Sequence, residues 1–184
     1  MYYTYEKYKN KTDKYIKIDC REENFQTLII APMLDSLLDE LQEPDIILSS
    51  TATHSKGKSA KLIRKNSSGA PTSPPDIVIA KRRNVEHVDD IDLLCAIEIK
   101  SPCSSQSLSA TLQIHSHLQN QIGWYLENFN RVIVTDCLHW LFVEKDCPLA
   151  DSQIISLINK DNEWVDESQW KILINTIKNF LKKK

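Results

Sequence analysis

Residues 75–80, Pro-Asp-Ile-Val-Ile-Ala, and residues 96–100, Ala-Ile-Glu-Ile-Lys, decide the fold of this chain. Each is an apolar run of strand length with charge at one end, where a strand core would not normally carry it. Asp76 opens the first run, and Glu98 and Lys100 close the second. Because side chains two positions apart on a strand share one face, Glu98 and Lys100 point the same way. An antiparallel pairing of the two runs would bring Asp76 beside Glu98.

Two carboxylates that converge beside an ammonium group have the chemistry of a Mg²⁺ site with a group next to it that can handle water. We therefore expect Asp76 and Glu98 to share a divalent cation, with Lys100 adjacent. Other acids lie between the two runs, but in the turn at the far end of the pair, so we rank them lower; they are Glu86, Asp89, Asp90 and Asp92. The simpler alternative is that these charges are solvated strand ends.

The composition narrows the classes of function. A chain of 184 residues is expected to be a single domain, with an N-terminal arm over 1–20, a core over 22–144 and C-terminal helices over 151–184. Its three glycines cannot build the phosphate loops of Walker or dinucleotide-binding proteins. The five cysteines are widely spaced, which argues against a disulfide framework and favours the cytoplasm. We expect no membrane span.

A basic segment precedes the first apolar run. The net charge of the chain is −2, so contact with nucleic acid must come from a local patch. No acid occurs between Asp45 and Asp76, and this interval holds the candidate DNA-binding residues: Lys56, Lys58, Lys61, Arg64 and Lys65. A Ser/Pro-rich stretch follows, so we predict a basic loop that contacts phosphate backbone. A solvated loop without a partner is equally compatible with the pattern.

Two predicted helices carry further polar candidates. Residues 21–42 have helical periodicity, with Pro32 expected to kink the helix or start a second one. Glu22 lies at the start of the buried stripe, where it could reach the site or simply favour the helix dipole. A second helix over 106–129 places Gln121 and Tyr125, four residues apart, on one face.

The N-terminal segment alternates tyrosine with lysine, and we expect either a loose arm or a short helix lying on the domain. Its aromatic and basic side chains could stack on bases and meet phosphates, although coverage of the core edge is the better interpretation. A hairpin is predicted over 131–144, and helices are predicted over 151–159 and 167–181.

The order of these features resembles the PD-(D/E)xK nuclease superfamily: Glu22 on a helix, then Pro75-Asp76, then Glu98-Ile99-Lys100, then a Gln/Tyr helix and a hairpin. It is most similar to the N-terminal nuclease domain of type I restriction endonuclease subunits and related single-chain restriction enzymes. That resemblance implies a restriction-endonuclease-like α/β (α+β) fold, a central mixed β-sheet flanked by helices.

The resemblance also implies a function and a ligand set. Asp76, Glu98 and the carbonyl of Ile99 would bind Mg²⁺, for which Mn²⁺ would substitute, and Glu22 would complete the shell. Lys100 would orient or deprotonate the attacking water or stabilise the oxyanion. Gln121 and Tyr125 would support the site. The implied activity is DNA cleavage by a restriction-type endonuclease.

Two other functions remain open, as do the partners. One alternative is a catalytically silent nuclease fold that binds DNA or serves assembly, and the other is an RNA-directed nuclease of the same fold. Partners beyond nucleic acid would be separately encoded restriction subunits or a second copy of the chain. The long connection before Asp76, and the absence of a helicase or methyltransferase region, depart from the type I pattern.

Overall fold

The computed structural model describes residues 3–41, 46–50, 74–82, 91–104, 108, 116–147 and 152–182. Within these ranges the helices are α1 (Tyr5–Ile18), α2 (Glu22–Phe25), a π-helical turn (Gln26–Ile30), α3 (Ala31–Leu41), α4 (Ser116–Asn128) and α5 (Glu167–Lys182). The strands are β1 (Ile46–Ser50), β2 (Ile77–Arg82), β3 (Ile91–Ile99), β4 (Arg131–Thr135), β5 (His139–Glu144) and β6 (Gln153–Ser156). No helix in these ranges is long and apolar enough to cross a bilayer.

The six described strands form one mixed sheet in the order β1-β2-β3-β4-β5-β6. Neighbouring strands are antiparallel except for β3 and β4, which run parallel. Parallel neighbours need a crossover connection, and α4 lies in the one between β3 and β4. The prediction of a mixed sheet flanked by helices is confirmed, as is the antiparallel pairing of the two apolar runs.

Each face of the sheet packs against its own set of helices. On one face, alternate residues such as Ile79 and Ile97 join a cluster with α1, α3 and α5. On the other face, residues such as Val78 and Ala96 pack with α4. Both central strands are therefore buried on both sides, which explains why their sequences are continuous apolar runs. Glu98 belongs to the α4 face, because it alternates with Ile97 and Ile99.

The helix predicted over residues 21–42 is continuous but contains the π-helical turn, which ends two residues before Pro32. Pro32 has no backbone N–H with which to bond the carbonyl of Leu28, four residues earlier. The ammonium group of Lys11, on α1, donates to that carbonyl at 2.9 Å instead. The chain thus accommodates the proline through a wide turn and a donor from a neighbouring helix, and it neither breaks nor starts anew.

Residues 5–18 form the helix α1, so the expected helix lying on the domain is confirmed for this segment and the alternative of a loose arm is wrong. Tyr5 and Tyr8 are buried, and their rings contact Trp164 and Trp170. The hydroxyl of Tyr8 donates to the carbonyl of Cys137 at 2.7 Å. These two tyrosines therefore cannot stack on bases.

The helix predicted over 151–159 is also wrong, because residues 153–156 form strand β6 against β5. The apolar positions there fit a helix and a strand equally well over so short a run, and pairing with β5 decides the outcome. Ile155 is buried, whereas Ile154 is 46% exposed, as expected for alternating sides of an edge strand. The helix predicted over 167–181 is confirmed by α5.

One disulfide joins Cys20 to Cys103, which corrects the expectation that the cysteines are unpaired. The two residues are 83 positions apart, so their spacing carried no sign of the bond. They meet because the chain turns at Ser101, just after β3, toward the junction of α1 and α2. Cys95, Cys137 and Cys147 are free.

Candidate active site

The paired ends of β2 and β3 hold the three residues that the sequence brought together. Ile77 is opposite Ile97, so Asp76, one residue earlier, lies beside Glu98. The Oδ2 atom of Asp76 accepts a hydrogen bond from the backbone N–H of Ile99 at 2.7 Å. The ammonium group of Lys100 is 2.7 Å from Oε1 of Glu98. Lys100 therefore turns toward the carboxylates, as the proposed chemistry requires.

Helix α4 supplies two side chains that hold Glu98 from the other side. Gln121 donates through Nε2 to Oε1 of Glu98 at 2.8 Å, and the hydroxyl of Tyr125 donates to Oε2 at 2.6 Å. Nε2 of Gln121 also lies 2.8 Å from the Tyr125 hydroxyl. The predicted i, i+4 pair thus meets the predicted strand acid, and the crossover after β3 puts it there.

The helical segment containing α2 and the π-helical turn approaches the site from the opposite face of the sheet. Glu22, the exposed first residue of α2, accepts a hydrogen bond from the N–H of Ser101 at 3.3 Å. Gln26, the first residue of the π-helical turn, donates to the backbone carbonyl of Asp76 at 2.7 Å. Glu22 therefore lies beside the end of β3 as expected, while Gln26 and Ser101 are contacts that the sequence analysis missed.

Burial and a neighbouring negative charge make Asp76 a weak acid. Its pKa rises from 3.8 to about 7, first because it is removed from water and then because the carboxylate of Glu98 is close. The N–H of Ile99 and the charge of Lys100 lower the pKa but do not outweigh burial. A carboxyl group in this state gains strongly from a nearby cation, since a cation favours its ionised form.

Lys100 and Tyr125 are both held in their protonated forms. Burial alone lowers the pKa of Lys100, but the charges of Glu98, Glu22 and Asp76 leave it above its ordinary value. Burial raises the pKa of the Tyr125 hydroxyl far above 10, and the Glu98 carboxylate raises it further. At neutral pH the site therefore presents one ammonium group and one hydroxyl donor around Glu98.

The donor set fits a hard cation that is held by few protein ligands. Among the residues that the structure describes, no three His, Cys, Asp or Glu side chains are arranged to hold a metal ion, and Glu22 as a metal ligand stays a prediction. Mg²⁺ commonly binds one or two carboxylates and keeps waters for its other positions. Within the described ranges, Oε1 of Gln121 is buried without a hydrogen-bond partner, which suits a coordinated water or a substrate donor.

Some predicted site residues lie outside the described part of the chain or keep a role that stays a prediction. The basic loop falls outside the described residues: Lys56, Lys58, Lys61, Arg64 and Lys65. Ile99 lies between Glu98 and Lys100 and commits its N–H to Asp76, while its carbonyl as a metal ligand stays a prediction. The position of Ser101, directly after Glu98-Ile99-Lys100, is the signal in the sequence that could have predicted its contacts at the end of the strand, because small polar residues often mark such ends.

No protein-family model matches the chain, and no curated protein or solved structure shows a significant match to it. The resemblance to the PD-(D/E)xK superfamily therefore stays a prediction from the sequence.

Proposed function

We propose that this protein is a metal-dependent phosphodiesterase with a restriction-endonuclease-like fold that cleaves DNA. The single observation that carries the proposal is the convergence of Asp76, Glu98 and Lys100 at the paired ends of β2 and β3, with Lys100 bonded to Glu98 at 2.7 Å. Asp76 and Glu98 would hold Mg²⁺, which when bound supplies charge neutralisation and an activated water.

The chain's own residues would divide the remaining work. Because Lys100 keeps its charge at neutral pH, it is suited to stabilise negative charge on phosphate oxygens rather than to remove a proton. Gln121 and Tyr125 fix the orientation of the Glu98 carboxylate. Glu22 is near enough to raise the pKa of both Asp76 and Lys100, so it adds negative potential that favours a cation.

One observation favours a second candidate function, a catalytically silent nuclease fold that binds DNA. Both carboxylate oxygens of Glu98 already have partners within the protein: Lys100, Gln121 and Tyr125. A buried carboxylate satisfied in this way is stable without a cation. Against this, all three site residues face one another, and Gln121 keeps a buried oxygen without a partner in the described part of the chain.

The deciding experiment measures cleavage of supercoiled plasmid with Mg²⁺ or Mn²⁺. The wild type is expected to cut, and Lys100→Ala is expected to lose at least about 100-fold in rate, as removal of an oxyanion-stabilising donor does. Lys145→Ala, an exposed lysine in the turn after β5, serves as the matched control and should retain full activity. Circular dichroism shows whether each variant is folded.

The same assay separates the alternatives. Glu98→Gln keeps the size of the side chain and removes its charge, so it should be inactive while remaining folded. Plasmid binding without cleavage by either metal would favour the silent module and sink the nuclease. Faster cleavage of a matched RNA than of DNA would favour the RNA-directed enzyme.

A further inference from the structure

The outward face of α1 carries a line of lysines that the proposed chemistry does not use. Lys7, Lys11, Lys14 and Lys17 are separated by four, three and three residues, so they lie along one side of the helix; we call them the α1 lysine strip. The buried side of α1 lies opposite and is formed by Tyr5, Tyr8 and Thr12. Lys7, Lys14 and Lys17 are exposed, and Lys11 is half-buried.

The strip lies on a helix with a surplus of positive charge. Helix α1 has five lysines and only two acids, Glu6 and Asp13, in a chain whose net charge is −2. Asp13 is turned away to accept a hydrogen bond from the indole of Trp164 at 2.8 Å. Within the described residues Lys7, Lys14 and Lys17 form no ion pair.

Aromatic rings hold parts of the strip in place. The ammonium groups of Lys7 and Lys11 lie 4.8 and 5.9 Å from the ring centre of Tyr3, and that of Lys14 lies 5.7 Å from Tyr15. Such contacts restrain a lysine but leave its donors available, because a ring face accepts no strong hydrogen bond. The charges are therefore partly ordered before any partner arrives.

The C-terminal end of the strip leads directly to the candidate site. Cys20 lies three residues after Lys17, and its disulfide to Cys103 ties this end of α1 to the turn after β3. The hydroxyl of Ser101 donates to the carbonyl of Cys20 at 2.6 Å, and the N–H of Ser101 donates to Glu22. Lys100 directly precedes Ser101, so the contacts of Ser101 with Cys20 and Glu22 connect the strip to the site.

We infer that the α1 lysine strip binds the phosphate backbone of a nucleic-acid duplex and aligns it with the site at Glu98 and Lys100. From Lys7 to Lys17 the helix advances about 15 Å, at 1.5 Å per residue. One strand of a duplex presents a phosphate about every 3.4 Å along its axis, so this length spans about four phosphates for four lysines. The inference rests on the proposed function, since the bound polymer is the one the site would cut.

A lipid surface fits the same helix less well. Helices that lie on membranes insert their apolar face among the lipids. In α1 that face is occupied by the protein core, through Tyr5 and Tyr8, and Ile18 is the large apolar side chain of this helix that is mainly exposed.

The test compares two triple variants with the same change of charge. Lys7→Gln, Lys14→Gln and Lys17→Gln remove the exposed part of the strip, and Lys11 is kept because it bonds to Leu28. The control replaces exposed lysines elsewhere with Gln: Lys145, Lys160 and Lys182. Binding to a fluorescein-labelled duplex is measured by anisotropy between 50 and 300 mM salt without divalent ions.

The slope of log affinity against log salt is the deciding quantity. Each lost phosphate contact on a duplex reduces the slope by about 0.9, so the strip variant should lose about 2 to 3 and the control should match the wild type. Equal slopes for the two variants, no duplex binding by the wild type, or a loss confined to phosphatidylserine vesicles would each overturn the inference.

Plasmid cleavage, measured separately on the same proteins, distinguishes this failure from failure of the proposed function. If the wild type cleaves plasmid and the strip variant keeps the wild-type salt slope, only the inference about the strip is wrong. If the strip variant has a reduced slope but the wild type cleaves no substrate with any metal, the inference about the strip is supported and the proposed nuclease function is wrong.

Discussion

Glu98 places a carboxyl group inside the sheet, with only 5% of its surface exposed. An isolated buried charge would be costly, but Lys100 and two hydrogen-bond donors from α4 compensate for the lost water. The sequence predicted this group correctly because residues two apart on a strand share a face, and residues four apart on a helix do so too. Charge at the end of an apolar run was therefore sufficient to find the centre of the site.

Asp76 should make the stability of the protein depend on pH. Its pKa is about 7 in the folded protein and 3.8 in the unfolded chain, so the folded state keeps its proton longer. The stabilising contribution is complete below pH 3.8 and is lost as the pH rises through about 7. We expect Asp76→Asn to be more stable than the wild type at pH 8 by a few kcal/mol. The upper bound is about 1.4 kcal/mol for each unit by which the pKa is shifted.

Urea unfolding of both proteins between pH 4 and pH 8 measures this difference. Asn keeps an oxygen that can accept from the N–H of Ile99, so the comparison isolates the charge. A stability gap that does not widen between pH 4 and pH 8 would contradict the assignment. Addition of Mg²⁺ should narrow the gap at pH 8, because a cation stabilises the ionised wild-type carboxylate only.

Among the elements, the junction of α1, α2 and the end of β3 depends on contacts that are remote in sequence. Ser101 and Cys20 are 81 residues apart, and no local pattern announced that they meet. Strand β6 was missed because pairing with β5 decides its conformation. The π-helical turn was missed because the donor to the carbonyl of Leu28, Lys11, comes from another helix. Sequence periodicity located the site strands, but tertiary contacts determine how the surrounding helices reach them.

The Cys20–Cys103 disulfide should contribute strongly to stability, because it closes a loop across 83 residues. In the chain-entropy model a loop of this length is worth about 4.5 kcal/mol, and strain or residual structure reduces that value. We expect Cys20→Ser with Cys103→Ser to lower the free energy of unfolding in guanidinium by about 2–4 kcal/mol.

The wild type treated with a dithiol reductant should unfold at the same guanidinium concentration as this double variant. Cys147→Ser, which removes a half-buried free thiol, is the matched control and should change little. A wild-type midpoint that does not respond to the reductant would show that the bond adds nothing.

At the scale of the whole molecule, one face of the sheet is closed by helices from both ends of the described chain. α1 and α5 meet there through Tyr8 and Trp170, whose ring centres are 4.8 Å apart. The sequence predicted α5 from its periodicity, but it treated residues 1–20 as peripheral, because tyrosine alternates with charged residues among them. Tyr5 and Tyr8 supply the missing core area, since each buries a large ring and donates its hydroxyl to a backbone carbonyl, of Val165 and Cys137 respectively.

Removal of residues 1–18 should therefore disrupt the whole domain rather than trim it. The cut would expose the cluster around Trp170 and Trp164 and leave the carbonyl of Leu28 without its donor Lys11. We expect loss of a cooperative thermal transition in circular dichroism and binding of a hydrophobic dye. Cooperative unfolding at nearly the wild-type temperature would show that α1 is dispensable.

The π-helical turn at Gln26–Ile30 has a consequence for how this architecture tolerates change in length. A wide turn of this kind holds one residue more than a regular helical turn. A chain shorter by one residue there would wind regularly, and everything upstream would rotate by about 100° relative to α3. Glu22 would then face away from Ser101, while the leucines of α3 stayed in register with the sheet. The extra residue thus sets the direction in which Glu22 points without changing how α3 packs against the sheet.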